Sequence, residues 1–267
     1  MTIIKKIIAM NTKKLTKPLF KSPFITSSMT LIGTHRGISE HSTKEIENTC
    51  SALFSSENAT ADFIECDVMI TADNYLILFH DENEKNIIIE KTTLKNIKKY
   101  IPKITTLEEL FKKNNTENNI KLLNIELKTY HLSNEKKDIY SKHLTKLIEL
   151  YKHSNKVMVS SFDQTLLKKI NHWSNTICLA LIFEKIEDLN IDPLLKHHLS
   201  IVCPHIKSIS KSIKLGLPCI PWEHSNENTI YSTLKSKKNK HLWLKQHHII
   251  GLTTNEVEKT TQLLNKN

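Results

Sequence analysis

"FIECDVMITADNYLILFHD", residues 63–81, decides the fold. Its first half is a near-continuous apolar run interrupted by Glu65 and Asp67, and such runs suit strands buried on both faces. Side chains two apart in a strand share a face, so both carboxylates project the same way. "TADN" (71–74) reads as a tight turn, and "YLILFHD" (75–81) as the returning strand of a β-hairpin. Counting ladder partners outward from a turn centred on Ala72 and Asp73 sets Glu65 opposite His80. A slip of two residues would set Asp67 there instead. Either way the hairpin returns a histidine to an acidic pair.

With that return set aside, the remaining apolar runs count as eight strands. They are "LIGTH" (31–35), "FIECDV" (63–68), "KLLNIEL" (121–127), "KVMVSS" (156–161), "ICLALIF" (177–183), "LSIVC" (199–203), "PCIPW" (218–222) and "HIIGLT" (248–253). Amphipathic stretches separate most of them, among them "TTLEELFKKN", "SNEKKDIYSKHLTKLIELYKH" and "DQTLLKKINHW", and "TNEVEKTTQLLNK" follows the last. Strand and helix in alternation predict an α/β fold, a (βα)8 TIM barrel with a β-hairpin extension after strand 2. An open doubly wound sheet would carry a Gly-rich phosphate loop after its first strand, and none is present. A chain of 267 residues fits one such domain, 30–267, behind a polar leader, 1–29.

Lys and Arg number 38 against 28 Asp and Glu, a formal net charge of +10. The lysines are diffuse and lack interleaved aromatics, so a solvated basic surface is expected and a nucleic-acid site is not. Attraction for anionic small molecules follows, and weak contact with an anionic membrane is the one further partner the charge allows. Five cysteines, without a C-x-x-C pair, read as core residues of a reducing, cytoplasmic compartment. The apolar stretch "IIAM" is too short for a signal-peptide core, and no run approaches a membrane span.

A βα barrel carries its active site at the C-terminal ends of its strands. His35 and Arg36 end the first strand, Glu65 and Asp67 lie on the second, His80 and Asp81 end the hairpin return, and Glu126 and Lys128 end the third. Carboxylates without a cysteine or histidine ligand favour a hard cation, Mg²⁺ or Ca²⁺, over zinc. Buried without a cation, Glu65, Asp67 and Glu126 would repel one another, and at least one would hold a proton. Two histidines flanking an acidic strand suit acid–base work near neutral pH. Arg36 is the sole arginine in the chain. A planar fork grips two phosphate oxygens at once, which an ammonium cannot do. Together these groups describe phosphodiester cleavage.

The same residues resemble the glycerophosphodiester phosphodiesterases. The resemblance rests on His35-Arg36-Gly37, Glu47-Asn48-Thr49, Ile64-Glu65-Cys66-Asp67-Val68, Thr71, Asp73 and His80-Asp81, then "TTLEEL" (105–110), "NIELK" (124–128), "SSFD" (160–163) and Trp222. It implies the same barrel, one divalent cation held by Glu65, Asp67 and Glu126, and hydrolysis of a glycerophosphodiester to glycerol 3-phosphate and an alcohol. It further implies His35 and His80 as the acid–base pair, Arg36 and Lys128 against phosphate, Asn48 steadying the first loop, and Trp222 walling the pocket. Four departures stand out. The interval "ISEHSTKEI" (38–46) is longer than usual, and the small insertion after His80-Asp81 is short or missing. Glu223-His224-Ser225 replaces the familiar T-V-N, and Asn255 stands where an Asp is expected. These leave the substrate's alcohol open. A phospholipase D-like activity on lysophospholipids is the alternative enzyme, and a non-catalytic binding module the alternative of another class.

Overall fold

The computed structural model describes residues 22–38, 47–55, 58–84, 87–117 and 120–265. The first strand, β1, is Leu31–Thr34, and β2 is Phe63–Ile70. The hairpin return is β3, Leu76–Leu78. A small antiparallel pair follows, β4 (Asn83–Glu84) and β5 (Ile87–Ile88), which with the helix Leu94–Tyr100 occupies the short insertion. The barrel continues with β6 (Leu122–Leu127), β7 (Val157–Ser161), β8 (Cys178–Phe183), β9 (Ile201–Pro204) and β10 (Gly251–Thr254). Among the described residues the parallel strands run in the order β10-β1-β2-β6-β7-β8-β9, with β3 paired to β2.

The expected strand "PCIPW" closes the barrel without being a regular strand. Cys219 bridges both Val202 and Ile249, and Trp222 bridges His205, all in parallel. Ile220 donates to Val202 at 3.0 Å and Trp222 to Pro204 at 3.1 Å, while Cys219 donates to His248 at 2.8 Å on the other side. Pro218 and Pro221 have no N–H, so the ladder skips at each of them.

The hairpin differs from its expected register. Val68 pairs with Leu78, Met69 with Ile77 and Ile70 with Leu76. That is one residue away from setting Glu65 opposite His80. Carried back, the register places His80 across from Cys66, and the ladder already stops at Leu78. The cause is the turn. Asn74 takes a left-handed φ of 68°, and Tyr75 is drawn into the turn by bonds between its backbone and Thr71. One extra turn residue flips the parity of every pair beyond it.

Apolar side chains fill the barrel's lower interior: Phe63, Met158, Cys178, Ala180, Ile182, Ile201, Cys203 and Ile220. Phe24, from the helix Pro23–Thr26, packs edge-on against Phe63 with ring centroids 5.4 Å apart. Phe24 and Ile25, grouped with the leader in the sequence, thus contribute to the barrel's packing; residues 1–21 lie outside the described residues. Gly33 makes room for the Phe63 ring, which a Cβ at position 33 would meet at 2.1 Å. Above this layer the interior turns polar, and the site begins. The five cysteines are free, and four of them are buried. No helix among the described residues is long and apolar enough to cross a membrane.

The helices start where the sequence provides caps. Thr106 and Glu109 form a capping box on Leu107–Thr116, Ser133 caps Asn134–Leu150, and Asp163 caps Gln164–Trp173. Asp163 also takes Lys137 at 2.6 Å and Thr129 at 2.9 Å, so the "SSFD" acid is committed to structure.

One buried histidine sits at the opposite end of β7 from the site. His153 is edge-on to Phe111, and its Nε2 has no hydrogen-bond partner. Burial, then Lys156, lowers its pKa below the ordinary 6.5. The unfolded chain therefore binds a proton that the folded one refuses. Its contribution to stability is complete above the unfolded value and is lost as pH falls toward the folded one. His153→Leu is expected to remove this component. The melting temperature of the variant, measured against wild type, should rise relative to it as pH drops from 7 to 5; parallel curves would show that His153 takes up its proton without cost.

Candidate active site

Strand register assembles the site. The β1–β2 ladder pairs Thr34 with Ile64, so His35 and Arg36, just past β1, arrive level with Glu65. The β2–β6 ladder pairs Glu65 with Asn124 and Asp67 with Glu126. Glu65, Asp67 and Glu126 each offer a carboxylate oxygen, all within 4.8 Å of one another. Glu65 and Asp67 are buried and Glu126 is nearly so.

The turn after β1 is strained and held. Arg36, with φ 57°, and Gly37, with φ 75°, both lie in the left-handed region. Such geometry in a non-glycine residue costs about 1–3 kcal/mol and persists where its surroundings enforce it. Here the Arg36 N–H donates to Glu65 Oε2 at 3.0 Å, and the Asn48 N–H donates to the Arg36 carbonyl at 2.9 Å. A Cβ on Gly37 would meet the Ala52–Leu53 backbone at 2.8 Å.

The two cations occupy the carboxylates. Arg36 Nε lies 3.0 Å from Asp67 Oδ2, and its NH1 lies 3.2 Å from Glu47 Oε1. Lys128 Nζ lies 3.0 Å from Asp67 Oδ1 and also pairs with Glu126. Asn48 clamps Asp67 from both sides: its amide donates to Oδ2 and its carbonyl accepts from the Asp67 N–H, each at 2.9 Å. Asn48 therefore does more than steady its loop, because it fixes the rotation of Asp67.

The three carboxyls respond differently. Burial, then Asp67 and Glu126, push Glu65 well above its ordinary range. Burial also pushes Glu126 up, against the pull of Lys128. Burial would raise Asp67 as well, but Lys128 and Arg36 outweigh it and hold that group ionised. Glu65 Oε1 is buried without a hydrogen-bond partner. An orphaned oxygen and two carboxyls pushed toward protonation are what a hard cation would relieve. The residues present fit such an ion.

His35 is buried, and burial followed by Arg36 lowers its pKa to about 4. Its Nδ1 is 2.9 Å from Asn255 Oδ1. With Glu65, Asn124, Glu126, Trp222 and Thr253 it lines a cavity of about 20 Å³ in the barrel centre, room for about one water. His80 stands at the mouth. It follows β3, outside the lining of that cavity; its Nδ1 lies 2.7 Å from Asp81 Oδ1, and its carbonyl accepts from the Tyr130 hydroxyl at 2.6 Å. Trp222 forms one wall, edge-on to Phe162 at 5.9 Å and to His205 at 4.9 Å.

Two participants were visible in the sequence only as departures. The Glu223 carboxylate accepts from Thr254 Oγ1 at 2.8 Å, from the Asn255 N–H at 3.0 Å and from the Ile230 N–H at 2.7 Å. Asn255 in turn bonds His35. The expected segment 38–46 lies, from residue 39 on, outside the described residues.

The family model described as the glycerophosphoryl diester phosphodiesterase family matches residues 35–259. The chain belongs to that family. A glycerophosphodiester phosphodiesterase of Caldanaerobacter subterraneus subsp. tengcongensis is 29% identical over 175 residues, 58% of this chain and 67% of the relative. The fold matches the crystal structure of a glycerophosphodiester phosphodiesterase from Parabacteroides distasonis, with a TM-score of 0.70 at 19% identity over 88% of this chain and 96% of that one. An Oleispira antarctica phosphodiesterase, solved with its product sn-glycerol-3-phosphate, matches with a TM-score of 0.68 at 17% identity over 89% and 98%. Family membership makes the chain a hydrolase of the phosphodiesterase kind, on an α/β barrel.

Proposed function

We propose that this enzyme hydrolyses glycerophosphodiesters to glycerol 3-phosphate and an alcohol, using His35 and His80 as its acid–base pair. The observation that carries the reading is the cluster of Glu65, Asp67 and Glu126, with carboxylate oxygens within 4.8 Å, ringed by His35, Arg36 and Lys128. The three carboxylates would hold one divalent cation, Mg²⁺ or Ca²⁺, which supplies Lewis-acid stabilisation of phosphoryl charge. Arg36 and Lys128 give up part of their carboxylate pairing to contact the phosphate oxygens. One histidine takes the proton of the attacking hydroxyl, either water or the substrate's own 2-hydroxyl. The other delivers a proton to the departing alkoxide; the pair keeps its proton count but exchanges roles, and is reset by hydrolysis of the cyclic phosphate on the 2-hydroxyl route or by proton exchange with solvent on the water route. Trp222 walls the alcohol side.

The test is a panel of glycerophosphodiesters and lysophospholipids, each incubated with and without chelator, with the products identified. Release of glycerol 3-phosphate that stops on chelation supports the reading. Turnover of lysophospholipids alone would favour the second enzyme reading, for which Phe162, 49% exposed beside Trp222, offers an apolar rim. No turnover of any member would leave a binding module. A cytoplasmic location is proposed on the five free cysteines.

Arg36→Lys is expected to lower kcat/KM on the order of 10- to 150-fold, the worth of one hydrogen bond to a charged group. Lysine keeps the charge but cannot span Asp67 and Glu47 while presenting a planar edge to phosphate. Kinetics on one diester and a melting curve check this. A fall below about threefold would show that the sole arginine has no use for its fork.

A further inference from the structure

Two departures from the family pattern, Glu223-His224-Ser225 and Asn255, meet in space. The Asn255 amide nitrogen donates to the His224 carbonyl at 2.8 Å and to the Glu227 carbonyl at 2.7 Å. Its backbone N–H is held by Glu223. These bonds leave the carboxamide one orientation. Turned over, its oxygen would face two carbonyl oxygens, with two buried acceptors lost. Asn255 Oδ1 must then point at His35 Nδ1, 2.9 Å away. An amide oxygen only accepts, so the hydrogen of that bond belongs to the imidazole.

We infer that Asn255 is a positioning residue: it holds His35 with its Nδ1–H toward the amide oxygen, so that in the neutral ring Nε2 carries the lone pair at the edge away from Asn255. The loop 223–227 is what orients the carboxamide. The catalytic use of that lone pair rests on the function proposed above, but the tautomer itself does not. The arrangement also accounts for asparagine at this position. An aspartate would accept from Nδ1–H equally well, yet its second oxygen would stand against the His224 and Glu227 carbonyls with no proton to share. An amide satisfies the ring and the loop together.

The experiment is a long-range nitrogen–proton correlation spectrum of protein labelled with ¹⁵N-histidine at neutral pH, with His35 assigned by its loss in His35→Gln. Wild type should show His35 protonated at Nδ1 and bare at Nε2. Asn255→Leu should release the ring to a mixture of tautomers. It should lower kcat on the order of 10- to 100-fold, while KM and the affinity for Mg²⁺ stay within about twofold, since Asn255 is neither in the carboxylate cluster nor in the lining of the cavity beside it. Asn255→Asp should keep the tautomer but lower the melting temperature. A wild-type His35 protonated at Nε2 overturns the inference, as does a folded Asn255→Leu with an unchanged His35 spectrum. If the variants fail to fold, the wild-type spectrum decides alone. A protein that cleaves no diester yet shows the Nδ1–H ring refutes the proposed function and leaves this inference standing.

Discussion

Replacing His35 or His80 with alanine is expected to lower kcat by at least ~10²-fold, the usual loss when a general acid or base is removed. The two variants should differ in stability. His80 is partly exposed, with 27% of its side chain accessible, and its hydrogen-bond partner Asp81 faces solvent, so His80→Ala should melt close to wild type. His35 is buried against Asn255. His35→Ala strands the Asn255 oxygen in the barrel, at a cost of about 1–3 kcal/mol. Kinetics on a diester with a poor leaving group, alongside melting curves, separate the two effects. Near-normal turnover by either variant would give that histidine another job. A His80 variant as destabilised as the His35 one would contradict the burial difference between them.

The second large effect concerns the carboxylates, and the structure makes it asymmetric. Glu65 is pushed toward its protonated form by burial and by its acidic neighbours. Glutamine is a close copy of that form. Glu65→Gln should therefore melt at or above the wild-type temperature without metal, yet lose the stabilisation that Mg²⁺ or Ca²⁺ confers on wild type. Loss of Lewis-acid stabilisation worth several kcal/mol should lower kcat on the order of 10³-fold. Asp67 is the opposite case. It is ionised and faces Lys128, Arg36 and the Asn48 amide. Asp67→Asn leaves two cations without their shared partner, which typically costs about 3–5 kcal/mol for a buried pair. It should lose metal binding and stability together. Calorimetric metal titration and melting with and without chelator distinguish the variants. Full activity after exhaustive chelation would end the metal assignment, and a Glu65→Gln protein that metal still stabilises would remove Glu65 from the ligand set.

The sequence by itself determined the architecture and most of the site, because both are written in local periodicity. Apolar runs of strand length, separated by amphipathic stretches, specify the barrel. Carboxylates two apart on β2 must share a face whatever the rest of the chain does, and Glu126 and Lys128 follow the same rule on β6. Strand ends then gather His35, Arg36 and Glu65 without any knowledge of side-chain contacts. What only the tertiary structure decided depends on which backbone groups meet across long separations. The left-handed Asn74 added one residue to the hairpin turn and moved His80 out of the ladder, a change of parity that no count of apolar residues reveals. Cys219 and Trp222 closed the barrel through isolated bridges, interrupted by Pro218 and Pro221, where the sequence suggested a full strand. Asn48 found Asp67, and Asn255 found His35, across intervals of 19 and 220 residues. Amides carry no period and bury little apolar area, so nothing in the sequence marks their partners. Their roles exist only once the ladders have set which loops lie side by side at the mouth of the barrel.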